Sequence, residues 1–449
     1  MTRPHRRIVV AGAGLAGLTA ATYLARAGYP TLLVEKTGAC GGLLNSIERD
    51  GFVFDVGARS IENAGVIRPM LKELGIDLEL LASPVTIGVE GRMVRMDSPE
   101  GTREYQNLLE GLYPGHAGEI RRIFNRIDKV MKDMRVIYGF DNPVFRDFSN
   151  DRRYIFTELL PWMRKFLPAL ARMNRKNQAI EDYLRRLSSF QPLNDIIDQH
   201  FFRKTPMFFA LGYYFVYQDY FYPRGGTGKF AEKLLEKFLA AGGEVMLDTE
   251  IERIVPAEKI LSGSKGLDCS YETLVWCADL KSLYRKVDTT GLDGATVDRI
   301  DSRRSQVMGS RGGDSVFSLY LGVDRPVPEF AAVTTGHLFY TPSREGLADT
   351  YRGELAALLA APGPDCREGI PAWLRKYCRL TTYEVSIPSL RDPALSPPGR
   401  TGIVASFLLE YDLVKKTLDE GWYEEFKTMV EDAMIETLDA SLFPGLREA

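Results

Sequence analysis

Three glycines and one acid carry the first chemical signal in this chain. Gly12, Gly14 and Gly17 stand in a Gly-x-Gly-x-x-Gly arrangement directly after the apolar run Ile8 to Ala11. Glu35 closes a second apolar run, Leu32-Leu33-Val34, eighteen positions after Gly17. Residues of these types at this spacing can hold a diphosphate and a ribose. Gly12 permits a tight turn. Gly14, lacking a Cβ, lets the backbone approach a pyrophosphate, and Gly17 lets the following helix pack close to its strand. An acid at the position of Glu35 can accept both ribose hydroxyls and disfavours a 2′-phosphate. The contacts expected around a dinucleotide are therefore Gly12, Ala13, Gly14, Leu15, Ala16 and Gly17, with Glu35 and Lys36 at the end of the second strand.

Positioning these residues takes a strand, a glycine turn, a helix and a second parallel strand. Ile8 to Ala11 has the length of a strand buried on both faces. Leu15, Leu18 and Leu24 continue at helical spacing, and Gly28 suits the helix end. The helix N-terminus points unused N–H groups and a partial positive charge at the phosphates. That dipole contributes only about 0.3–1 kcal/mol, so geometry outweighs the field. An ordinary glycine turn in an α/β domain would not place strand, helix, second strand and acid in this register.

The next two glycine-bearing segments distinguish the dinucleotides. Gly38-Ala-Cys-Gly41-Gly42 is succeeded by Gly51-Phe-Val-Phe-Asp55-Val-Gly57. This succession resembles the FAD-binding half of the glutathione-reductase-like flavoproteins, within the amine-oxidase and phytoene-desaturase superfamily. The resemblance implies FAD rather than NAD. It places Gly41, Gly42 and Leu43 along the ribose and pyrophosphate, and Gly57, Ala58 and Arg59 beside the isoalloxazine. Three more segments resemble the phytoene desaturase, carotenoid isomerase and retinol saturase group. Tyr222-Pro-Arg-Gly-Gly-Thr-Gly-Lys-Phe would carry Gly225 and Gly226 close to the flavin. In Gly243 to Ile254, Ile251 takes the aliphatic position whose backbone holds the adenine, and Ala278 ends a later strand at the same cofactor. The third segment, Ile387-Pro-Ser-Leu-Arg-Asp-Pro-Ala-Leu-Ser-Pro-Pro-Gly399, is the most specific.

The fold implied is α/β: a glutathione-reductase-like Rossmann FAD-binding domain with a mixed-sheet substrate domain and a helical cap. The expected division is 1–85 (FAD-binding, first part), 86–222 (substrate and helical cap), 223–290 (FAD-binding, second part), 291–415 (substrate sheet) and 416–449 (a C-terminal helix returning toward the FAD domain). The activity implied is an FAD-dependent oxidoreductase exchanging hydride between flavin N5 and C–C or C=C bonds of an apolar, isoprenoid or polyene substrate. Desaturation, saturation and isomerisation all fit. Arg59 and Arg224 are candidates to stabilise an anionic reduced ring, with a structural salt bridge as the other reading of each. His337 and Tyr340 are candidate pocket acids or bases, against the reading of plain strand residues. Two alternatives stay open: an amine oxidase or protoporphyrinogen oxidase-like enzyme, and a non-catalytic lipid- or prenyl-binding protein on the same fold.

Composition sets further bounds. The chain has 449 residues, 45% hydrophobic and 26% charged, which suits more than one globular core. A net charge of −3 gives no argument for nucleic acid. Five cysteines in no metal pattern suggest a reducing, cytoplasmic setting, and four scattered histidines suggest no metal site. Cys40 in the glycine loop is read as a small tolerated residue, with a redox thiol as the alternative. No apolar run reaches the roughly 18 residues of a membrane span. Residues Ile120, Ile123, Phe124, Ile127, Val130, Met131 and Met134 recur at helical spacing. Residues 151–186 carry nine Lys/Arg against four Asp/Glu over an amphipathic pattern. That is a solvated face over a normal core or a peripheral membrane contact. Pro161 and Pro168 are expected to break the helix predicted over Tyr154 to Asn174. Members of the resembled group continue past a Pro-Gly-Leu like Pro444-Gly445-Leu446 to a glycine-rich flavin contact. The sequence stops at Ala449, so it is expected to be a truncated product, the alternatives being completion by a partner or weakened flavin binding.

Overall fold

A computed structural model describes residues 5–146, 151–175, 178–198, 200–312, 314–347 and 350–449. The apolar runs form the expected unit: strand His5–Ala11, helix Leu15–Arg26 and strand Thr31–Val34. The two strands pair in parallel, Ile8 opposite Thr31 through Ala11 opposite Val34. They enter a six-stranded sheet in the order Glu244–Met246, Thr31–Val34, His5–Ala11, Asp268–Trp276, Ile260–Gly263, Ile251–Val255. The first four strands are parallel and the last two antiparallel. Helix Gly228–Ala240 packs across Leu15–Arg26 through Leu18, Ala21, Leu234 and Phe238, all fully buried. Leu274 to Cys277 is half-buried. It lies at the carboxyl ends of the parallel strands, where α/β sheets leave a crevice for a ligand.

A second six-stranded sheet has the order Ser315–Val323, Thr401–Leu409, Tyr383–Ser386, His337–Thr341, Val85–Val89, Arg92–Arg95. Only the pairing of His337–Thr341 with Val85–Val89 is parallel. The hairpin turn between the last two strands is Glu90-Gly91, both residues at positive φ (50° and 73°), as a two-residue connection requires. One face of this sheet packs on helices Gly363–Leu380 and Tyr423–Ser441. The C-terminal helix therefore lies on the second sheet and does not return to the cofactor sheet as expected: Val430, Met434 and Leu438 are apolar at one helix face, and the apolar surface waiting for them is the sheet's. The other side carries the cap. Helix Ala117–Tyr138 buries the seven residues predicted for it, against helix Met207–Val216 and against Val85, Ile87 and Phe339 of the sheet.

The prolines do not break the cap helix. It runs Leu160–Arg175 with Pro168 inside, after a π turn Ile155–Leu159. The wide π turn accommodates Pro161, and Pro168 lies on an exposed face where water can take the freed carbonyl.

A three-stranded ribbon, Ile61–Glu62, Tyr220–Pro223 and Leu80–Ala82, links cap and cofactor loops. Glu62 is held in it with no partner for Oε1. Burial, reinforced by Asp219, raises its carboxyl to about 7. A carboxyl raised in the fold stabilises it below its ordinary value of 4.5, and the benefit is lost as pH rises through about 7. Glu62→Gln is therefore expected to match the wild type in acid and to be about 2–3 kcal/mol more stable above pH ~8. Urea unfolding across that range checks this, and a constant difference at all pH values would refute it.

Candidate active site

The first helical bond of Leu15–Arg26 is Leu18 N–H to Gly14 O (2.9 Å), which leaves the N–H groups of Leu15, Ala16 and Gly17 pointing out of the helix start. Gly12 has φ +93°, and a Cβ at Gly17 would lie 1.8 Å from Gly12 O, so both must be glycine. A Cβ at Gly14 would meet nothing within 4 Å: the space over it is open. Gly41 N–H bonds Ala13 O (2.8 Å), and a Cβ at Gly42 would approach Gly14 Cα to 3.2 Å, so this second glycine pair lies directly on the first turn. Glu35 Oε2 accepts from Ala13 N–H (2.7 Å), and Oε1 from Thr37 N–H and Oγ1 (2.9 Å each). One lone pair of Oε2 remains for a ribose hydroxyl. Beside it, Gly12, Glu35, Lys36, Ile251, Trp276 and Ala278 line a cleft of about 110 Å³. Cys40 is half-buried, and burial together with Glu35 raises its thiol. That is the environment of an unreactive thiol.

Asp55 ties the remaining cofactor loops together. It is fully buried. Its Oδ1 accepts from Thr227 N–H (2.8 Å), Thr227 Oγ1 (2.9 Å) and Ser46 Oγ (3.0 Å), and Oδ2 accepts from Tyr222 O–H (2.7 Å). Gly226 (φ +103°) fits only because it lacks a Cβ, which would come within 2.7 Å of Ser46 Oγ. The Pro-rich string completes the clamp: Asp392 Oδ2 accepts from Gly225 N–H (2.9 Å), while Arg391 donates to Arg59 O (2.7 Å) and lies 3.9 Å over the Tyr222 ring. Leu43 projects outward, 77% exposed, and its carbonyl takes Ala58 N–H (3.0 Å). A Cβ at Gly57 would come within 2.5 Å of that carbonyl.

Arg59 turns from this loop into the second sheet. It is buried, bonds Glu384 O (3.1 Å) and Ser406 Oγ, and pairs with Glu384 Oε2 (3.2 Å). Glu384 Oε1 lies 2.9 Å from His337 Nε2, and His337 Nδ1 lies 3.0 Å from Ser60 Oγ. Burial opposes the charge of Glu384, but Arg59, aided by the His337 bond, outweighs it and holds the carboxyl down at about 2. An ionised Glu384 can only accept, so the His337 ring proton belongs on Nε2 and Ser60 donates to Nδ1. Burial also lowers His337, and it lowers His200 to about 4, so both rings are neutral near pH 7. Glu384 and Ser406, with Thr205 and Thr382, give polar lining to a cavity of about 300 Å³. Its other walls include His200, Phe201, Phe209, Tyr213, Phe339 and Phe407.

Arg59 and His337 are thus brought together, and Arg224 and Tyr340 are not. Arg224 is half exposed and forms a bidentate surface pair with Glu79 (2.5 and 2.8 Å). Tyr340 points to the opposite face of its strand, where its hydroxyl bonds Ser441 O (2.7 Å). Sequence reasoning passed over Asp55, Glu384 and His200. An acid inside the apolar strand Phe52–Asp55 is a signal that could have marked Asp55. No spacing could have linked Glu384 to Arg59, 325 positions away.

These features define a dinucleotide-dependent oxidoreductase architecture, a glycine cradle facing a second sheet. The model of the flavin containing amine oxidoreductases matches residues 15–352, and the chain belongs to that family. Among curated proteins, it is 24% identical over 469 aligned residues to prolycopene isomerase 1 of an Oncidium hybrid cultivar, covering 98% of this chain and 70% of the relative. It is also 24% identical to a 4,4'-diapophytoene desaturase of Staphylococcus aureus (strain bovine RF122 / ET3-1), covering 88% and 74%. Two solved structures share the fold: an oxidoreductase from Methanosarcina mazei (TM-score 0.56, 15% identity, 98% of this chain and 85% of that one) and putrescine oxidase bound to putrescine (TM-score 0.56, 15% identity, 99% and 83%). The protein is a flavin-dependent oxidoreductase and its cofactor is FAD. The residues present fit that group. The space over Gly14 is open for a pyrophosphate, Glu35 retains an acceptor for the ribose, and Arg59 Nε–H is a buried donor without a protein partner.

Proposed function

We propose that the protein exchanges hydride with C–C or C=C bonds of an apolar polyene or isoprenoid chain. The observation that carries this reading is the aromatic cavity sharing Glu384 and Ser406 with the Arg59 cluster. Its walls of Phe201, Phe209, Tyr213, Phe339 and Phe407 suit a flat, apolar chain, and its volume is at the lower end for a ligand pocket. The relatives named for prolycopene and 4,4'-diapophytoene support the same substrate class. Bound FAD supplies the hydride acceptor or donor. The chain's own part is to exclude water with the aromatic walls, to hold a cation at Arg59, and to keep the His337 proton on Nε2 against Glu384.

The carboxylate of Glu384 could instead receive a substrate ammonium, as an amine oxidase would require. Both of its oxygens, however, are engaged by Arg59 and His337. Anaerobic incubation of the holo-protein with an isoprenoid polyene and, separately, with primary amines distinguishes the two. The expected result is bleaching of the visible flavin band by the polyene, or conversion of the polyene by dithionite-reduced protein, with no reaction of amines. Bleaching by amines alone would reject the proposal. Colourless protein that added FAD cannot reconstitute would point to the non-catalytic lipid-binding alternative.

A further inference from the structure

The cap helix Leu160–Arg175 and the turn before it carry an apolar stripe with nothing packed on it. Phe156 is 68% exposed, Leu160 40%, Met163 36% and Leu167 55%. Intervals of four, three and four residues put them on one face. This is not the face that joins the core. There, Trp162 donates to Val136 O (2.8 Å) and stacks on Phe140, and Ala169 is fully buried.

Cations flank the stripe. Arg153, Arg164 and Arg175 recur every eleven residues, which is close to three full helical turns, so they form a row parallel to it. All three are exposed, and among the described residues none has a carboxylate partner. Arg172, on the same helix but turned toward the body of the cap, is paired with Asp133. The arginines left unpaired are therefore those beside the apolar stripe.

We infer that this face docks on an anionic phospholipid bilayer, with the helix lying in the plane of the interface. The apolar side chains would reach the acyl boundary while the arginines meet headgroup phosphates. Among the described residues no helix is long and apolar enough to cross a membrane, so the contact lies on the surface. Pairing two copies stripe to stripe is disfavoured, because it joins two basic rows with no acid on either stripe. The inference does not depend on the identity of the substrate.

The FAD-loaded full chain can be sedimented with vesicles of phosphatidylcholine, alone or mixed with phosphatidylglycerol. Partition is expected to be at least roughly tenfold stronger on the anionic vesicles and to weaken with salt. The variants Phe156→Ser/Leu160→Ser/Leu167→Ser and Arg153→Glu/Arg164→Glu should each lose about tenfold of that partition, with the visible flavin spectrum and the unfolding midpoint unchanged. Equal binding to neutral and anionic vesicles, or variants that bind like the wild type, would overturn the inference. So would a dimer in solution that the serine variant dissociates.

Discussion

Asp55→Ala is expected to lower the unfolding free energy by about 3–5 kcal/mol and to abolish retention of FAD through purification. The fully buried carboxylate receives four hydrogen bonds, from Thr227 N–H, Thr227 Oγ1, Ser46 Oγ and Tyr222 O–H. Truncation leaves those donors buried without a partner, and each buried orphan costs about 1–3 kcal/mol before any relaxation. The same bonds hold the Gly225-Gly226 loop against strand Phe52–Asp55, so the loop and the cofactor cradle should loosen together. Asp55→Asn separates shape from chemistry. It preserves volume but turns an amide donor toward donors, and it should recover little. Thr227→Val removes only one hydroxyl from this set and should cost about 1 kcal/mol. Urea unfolding and the flavin-to-protein absorbance ratio measure both effects. If Asp55→Ala retained its flavin and lost less than about 1 kcal/mol, the hub would be incidental.

Arg59→Met is expected to be nearly as damaging, at about 3–5 kcal/mol, for a different reason. The side chain is 3% exposed and neutralises Glu384 across 3.2 Å. Without it, the desolvation of the partly exposed Glu384 is opposed mainly by its bond to His337, so the carboxyl rises. In the wild type, the carboxyl sits at about 2 against an ordinary 4.5, so its stabilising contribution is complete above about 4.5 and fades as pH falls toward 2. In Arg59→Met that pH dependence should flatten, because the carboxyl, still bonded by His337 but without its counter-ion, returns toward its ordinary value. Arg59→Met/Glu384→Gln removes the stranded charge and should recover most of the loss. Unfolding of the four proteins of this cycle at about pH 5 and about pH 8 gives the coupling directly. A double variant no better than Arg59→Met would show that Arg59 acts through packing.

The cofactor half of the site was legible because its demands are local. Gly12, Gly14, Gly17 and Glu35 act through backbone conformation and through neighbours one βαβ unit away, and such constraints leave a fixed spacing. The Pro-rich string was visible as a motif, yet its work was not. That work is Arg391 on the Arg59 carbonyl and Asp392 on Gly225 N–H, contacts that cross the chain. The same limit explains Arg224 and Tyr340. A cation just before a glycine pair and a tyrosine on a strand near a histidine are reasonable candidates, but whether each faces the cavity depends on strand parity and on a surface carboxylate. Glu79 claims Arg224, and the sheet's pleat sends Tyr340 to the helix-packed face.

By itself, then, the sequence determined the cofactor class, the fold type and the strand and helix that cradle a pyrophosphate, because these depend on short-range periodicity and on glycine geometry. Only the tertiary structure decided which polar side chains meet beside the aromatic cavity. Arg59, His337 and Glu384 come from a glycine loop and two neighbouring strands of another sheet. What brings them together is the pairing of those strands and the burial of a charge that must find its counter-ion, and neither leaves a spacing in the chain.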